Sequence, residues 1–214
     1  MNSDSFNSEE DSNNSMDEEI NQTEESEIEK IELTNLYLIK AISSSLTIIL
    51  EENQNLNNYQ EKLRKQKRLL FTSSSIPNIS IYDYLIRIQR YSIMEKNTLI
   101  LSLIFIDRLC EYNNIILTYN NVHRILFVSI VIAIKYNEDK FYDNKYYAEI
   151  GGISLNELNK LENLFLEMCQ FKLYVSSDVF EKYSKYLNSF EKIDNISWII
   201  WNNRLIPRNI DIKI

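Results

Sequence analysis

Few residues in this chain are equipped for covalent chemistry. His123 is the single histidine, Cys110 and Cys169 are the two cysteines, and Gly151 and Gly152, side by side, are the only glycines. Nucleophilic catalysis needs a base within reach of its Ser, Cys or Thr, and a catalytic metal needs converging His, Cys or carboxylate ligands. One histidine, in the stretch "NVHR", supplies neither, and its expected role is a structural hydrogen bond. Each cysteine stands alone within a helical pattern, which suits free thiols in a core rather than a disulfide framework or a zinc site. A loop that cradles phosphate needs more glycine than "GGISLNE" offers, usually with Lys and Ser or Thr following, and a strand before it. Catalysis by this chain alone is therefore not expected, and neither is a cofactor or a metal.

What remains is charge and apolar surface, and both depend on the elements that carry them. With 2 glycines and 2 prolines in 214 residues there are too few turn-makers for antiparallel sheets, so the expected fold is all-helical. Residues 31–52 place Leu38, Ile42, Leu46 and Ile49 at spacings of three and four, an amphipathic helix ahead of the main body. "FTSSSIPNIS" then reads as an extended loop around a proline. Five helices follow, over about residues 81–91, 96–111, 120–136, 154–169 and 178–187. The second and third are apolar on nearly every side, which requires that other helices surround them. Ser154 with Glu157 forms a capping box that opens the fourth, and Gly151 and Gly152 just ahead of it mark a corner where positive φ is expected. Lys135 closes the third helix and Glu162, in "NKLENLFLE", lies on the fourth; on spacing alone both are ordinary solvated charges.

The formal charge of −8 belongs to one end of the chain. Ten of the 31 acidic residues lie between Asp4 and Glu27, ahead of the first base, Lys30, so the remaining 21 face all 23 basic residues and the body nets about +2. Residues 1–27 combine low hydrophobicity with high charge, cannot bury enough apolar surface to offset ordering, and are expected to be disordered. Ser8, before Glu9, Glu10 and Asp11, could serve an acid-directed kinase, but a solubilising tail is the reading that the composition favours. An acidic start lacks the marks of a signal or transit peptide, so cytosol or nucleus is the expected location. The apolar runs Leu99–Ile106 and Ile125–Ile134 fall well short of the roughly 20 residues a membrane span needs.

Taken in order, "ISIYDYLIRIQRY", "LILSLIFIDRL" and "NNVHRILFVSIVIAIKYNEDKFYDNKYYAEIGGISLNELNKLENLFLEMCQFKLYVSSDVFEKYSKYL" resemble the cyclin box of the P-type (U-type) cyclins, the group that includes the yeast phosphate-response cyclin. The resemblance covers about residues 33–188, and "IKAISSSLTIILEEN" is similar to the helix that opens that family. It implies an all-α fold, a single five-helix cyclin box with an extra N-terminal helix over residues 31–188, between the acidic tail and a C-terminal tail of residues 189–214. It also implies a regulatory subunit that pairs with a cyclin-dependent protein kinase and stabilises the active placement of that kinase's C helix. Lys135 and Glu162 match positions that make the main polar contacts to the kinase; Ile132, Tyr136, Leu166 and Leu173 match the apolar part of that surface.

Gly151 and Gly152 match the family's corner between the third and fourth helices, and Asp107 and Arg108 match its "DR". That Asp commonly pairs with a basic residue at the start of the first helix; the position falls near Asn78 here, which leaves Arg87 as the candidate partner. "PNISI" stands where cell-cycle cyclins dock substrate motifs with a basic and apolar patch, so docking of that kind is not expected. A cyclin-like module also serves in transcription-initiation factors that touch DNA. Those carry two repeats and a basic face, whereas the dense basic run here is "KLRKQKR", Lys62–Arg68, in a near-neutral body, so nucleic acid is not an expected partner.

Overall fold

The structure is a computed structural model that describes residues 35–57, 59–61, 70–92 and 94–189. The chain divides into compact units of residues 1–37 and 38–214, and Asn35–Tyr37 are the described part of the first. The second carries the whole of the described hydrophobic core, from Leu38 to Leu187. The acidic tail 1–27, the basic run Lys62–Arg68 and residues 190–214 of the C-terminal tail lie outside the described residues.

The described residues form helices and no strand. We name them α1 (residues 38–54 of this unit), α2 (Ile81–Tyr91), α3 (Lys96–Asn113), α4 (Val122–Asn137), α5 (Asn144–Gly151), α6 (Leu155–Met168) and α7 (Ser177–Ser189). The five expected helices are present to within a few residues at each end. The short α5 was not expected: "NKYYAEIG" reads as a connector, but Asp143 caps it by accepting from the Tyr146 N–H, and Tyr147, Ala148 and Ile150 bury one face.

α3 and α4 pack against each other; α6 packs on both, α7 on α3, α5 on α6 and α2 on α5. In α4 the residues from Val122 to Ile134 are buried with the single exception of Arg124, and in α3 those from Thr98 to Ile106 are buried without interruption. Truncating one such Leu or Ile to Ala would cost about 2–5 kcal/mol. The termini are tied across elements. Glu95 at the start of α3 makes no side-chain cap; instead the Glu138 carboxylate, just past the end of α4, accepts from the Glu95 N–H at 3.0 Å and from the Thr98 hydroxyl. α3 ends on Asn114 in the left-handed region, φ 51°.

The glycine corner divides into two different constraints. Gly152 is the left-handed cap of α5, φ +69°, with open space where a Cβ would stand. Gly151 does not have positive φ; a Cβ there would meet the Phe127 ring of α4 at 2.3 Å. The expectation of positive φ for the pair is thus corrected for Gly151, whose requirement is close approach. The capping box is also one-armed: Ser154 accepts from the Glu157 N–H at 3.1 Å, but the Glu157 carboxylate bonds to Arg124 of α4 at 2.7 Å instead of returning to the cap.

Candidate functional site

Three helices deliver side chains to one place. Lys135 sits in the last turn of α4 and Glu162 on α6, and the Lys135 Nζ donates to Glu162 Oε1 at 2.6 Å. Asn144, the first residue of α5, donates from its amide nitrogen to Glu162 Oε2 and to Asn159 Oδ1, both at 2.7 Å. The carboxylate is therefore held at both oxygens. The side chains are 27% exposed for Lys135 and 13% for Glu162, so the pair is neither free in water nor sealed. This corrects the picture of two separately hydrated charges: in the chain alone they already bond to each other.

Apolar surface continues from the pair. Leu166 lies one turn beyond Glu162 on the same face of α6 and is half-buried. Tyr136, next to Lys135, is 48% exposed and stands edge-on to Phe105 at 6.1 Å. After α6, Gln170 and Phe171 both take positive φ, 55° and 54°, and the Phe171 N–H bonds back to the Leu166 carbonyl at 2.8 Å. This turn presents Phe171, 68% exposed, beside half-buried Leu173, with Tyr174 at 78%. Ile132, expected in the apolar part of this surface, is instead buried in the core at 3% exposed, which corrects that expectation. Such an exposed apolar stretch with a polar pair at its rim is what a protein interface needs.

Of the remaining residues singled out in the sequence, one is tied to this surface and the others serve the fold. Arg108 donates to the carbonyls of Lys172 and Tyr174, the latter at 3.1 Å, and so fixes the segment that carries Phe171 and Leu173. Asp107 accepts from the Tyr183 hydroxyl of α7 at 2.6 Å. Arg87, the candidate partner of Asp107, donates instead to the Glu149 carbonyl at 3.1 Å, which corrects that expectation. His123 makes the expected structural bond: Nε2 lies 2.9 Å from the Ile79 carbonyl, so that nitrogen carries the hydrogen. Its Nδ1 is buried without a hydrogen-bond partner among the described residues, and burial holds the ring's pKa below 6.5 against the opposing Ile79 bond. Both cysteines are free thiols. Burial pushes Cys169 up to about 12, with Arg108 opposing, and raises Cys110, with Asp107 and Cys169 adding to it.

The sequence singled out Lys135 and Glu162, which the fold bonds to each other, but passed over Asn144, Phe171 and the Arg124–Glu157 pair. For Phe171 a signal existed, an aromatic directly after the helix-ending "EMCQ". Asn144 and Arg124 carried none, because their contacts cross helices. Among the described residues no helix is long and apolar enough to cross a membrane, and no cluster of His, Cys, Asp and Glu could hold a metal ion.

Comparison with known proteins gives a consistent family. The family profile described as Cyclin matches residues 7–173. Cyclin-U2-2 of Arabidopsis thaliana is 41% identical over 122 residues, 56% of this chain and 53% of that protein. PHO85 cyclin-7 of Saccharomyces cerevisiae is 32% identical over 196 residues, 82% of this chain and 69% of that protein, and Cyclin-U2-1 of Arabidopsis thaliana is 36% identical over 151 residues, 70% and 67% respectively. The chain thus spans about half to two thirds of the length of these relatives.

Proposed function

The chain belongs to the cyclin family, and from that premise we propose that it is the regulatory subunit of a cyclin-dependent protein kinase, forming a heterodimer without catalytic residues of its own. The observation that carries the reading is the Lys135–Glu162 pair at 2.6 Å, together with exposed Tyr136 and Phe171 and half-buried Leu166 and Leu173. Lys135 spends one of three N–H donors on Glu162, and the carboxylate oxygens retain lone pairs beyond the two bonds they accept. The pair can therefore donate to a backbone carbonyl and accept a backbone N–H at the end of a partner's helix. Phe171 and Leu173 supply the apolar anchor; the names of yeast relatives such as PHO85 cyclin-7 support a partner of that kinase type.

Docking would strip water from both charges, so a partner that hydrogen-bonds each is selected over one that does not. The test is capture of the purified full chain's partner, followed by an activity assay of that kinase with and without the chain. Saturable binding with a rise in kinase activity supports the reading. A chain that leaves every candidate cyclin-dependent kinase inactive, and shifts a DNA probe at low salt, would replace it with a DNA-associated helical module.

A further inference from the structure

Resting on that reading, we infer that Asn144 is a positioning residue for the kinase-binding surface: its amide locks the Glu162 carboxylate in the orientation in which Lys135 and Glu162 are offered to a partner. A carboxylate paired with a single lysine can still rotate about its terminal torsions, because an ammonium is a compact donor without directional preference. Here Lys135 takes Oε1 at 2.6 Å and Asn144 takes Oε2 at 2.7 Å, so a rotation that satisfies one breaks the other. The second amide hydrogen of Asn144 goes to Asn159 Oδ1 at 2.7 Å, one turn ahead of Glu162 on α6. Both hydrogens are therefore used. Asn144 is itself fixed, as the first residue of α5 behind the Asp143 cap, and α5 packs on α6.

The arrangement has a cost that marks it as more than filler. Asn144 Oδ1 is buried without a hydrogen-bond partner among the described residues, so the amide is turned to serve the carboxylate while its own acceptor goes unsatisfied. Holding a rotamer-rich side chain before binding removes ordering entropy that the complex would otherwise lose, about 0.5–1.5 kcal/mol per side chain. That corresponds to roughly a 2- to 12-fold gain in affinity.

The test is a double-mutant cycle on the full chain, with the affinity of the purified cognate kinase as readout and melting temperature as control. Asn144→Ala should weaken kinase binding by about 2- to 12-fold in the wild-type background and by less than about 2-fold in a Glu162→Ala background, where no carboxylate remains to position. Asn144→Asp keeps the size, removes both donors and sets a second carboxylate against Glu162. Its binding should be at least about tenfold weaker than wild type, because the two like charges repel and the carboxylate loses its amide donor. An equal effect of Asn144→Ala in both backgrounds, or wild-type binding by Asn144→Asp, overturns the positioning role alone. Wild-type affinity in Glu162→Ala overturns the kinase-binding reading beneath it.

Discussion

Replacing each glycine of the α5–α6 corner by alanine separates two physical constraints that look identical in the sequence. At Gly151 the added methyl would lie 2.3, 2.5 and 2.8 Å from three atoms of the Phe127 ring. That ring cannot simply swing away. Phe127 is 1% exposed, Tyr84 packs on it at 6.2 Å, and Tyr84 is held in turn by its hydroxyl bond to the Gly151 carbonyl at 3.0 Å. Overpacking of this kind costs about 1–3 kcal/mol. At Gly152 nothing lies within 4 Å of the new Cβ, and the cost comes from φ +69° alone, about 1–2 kcal/mol. Urea denaturation of the purified chain resolves the two. Gly152→Asn should recover most of the loss in Gly152→Ala, because asparagine tolerates the left-handed region. Gly151→Asn should not. Phe127→Leu should be partly compensating in the Gly151→Ala background, with a favourable coupling of at least about 0.5 kcal/mol. Additivity of those two substitutions, or wild-type stability in Gly151→Ala, would show that the close approach to Phe127 is not what requires glycine.

His123 makes stability pH-dependent in a defined direction. Its folded pKa lies below the ordinary 6.5, so as pH falls from about 6.5 the unfolded chain takes up a proton that the folded chain refuses, and stability drops by up to about 1.4 kcal/mol per pH unit until the folded pKa is reached. Above about pH 6.5 the group contributes no slope; denaturation curves of His123→Gln from pH 7.5 to 5 should lack this component, and an unchanged slope would refute it. Arg108→Ala removes both bonds to the Lys172 and Tyr174 carbonyls, so amide hydrogen exchange at Phe171 and Lys172 should quicken by about tenfold or more, while Asp107→Asn leaves those amides as they were. Equal exchange in the two variants would mean that the segment is held by other contacts.

The central helices were legible because burial on all sides leaves an unambiguous pattern: α3 and α4 are apolar through their middle turns, and the structure buries nearly all of those residues. The short α5 was not, since eight residues carry little periodicity, and what secures it is the Asp143 cap and contact with α2 and α6. Lys135 and Glu162 could be matched by position, but their direct bond could not be read, because it depends on how α4 and α6 pack rather than on spacing within either helix. The same holds for Arg87, which the sequence offered to Asp107 and the fold turns toward the Glu149 carbonyl. Side-chain partners across helices are fixed by tertiary geometry, and local pattern reports it only indirectly.

The kinase-binding claim is tested most directly by the double variant Lys135→Met, Glu162→Gln. Either single change strands the other charge, 27% or 13% exposed, and should lower stability by about 1–3 kcal/mol, so a single variant mixes folding with binding. The double variant leaves no orphaned charge and should melt within a few degrees of the wild type. Its affinity for the purified cognate kinase should nonetheless fall by about 2–5 kcal/mol, roughly 30-fold or more, with a matching loss of kinase activation. A folded double variant that binds and activates the kinase as the wild type does would contradict the account.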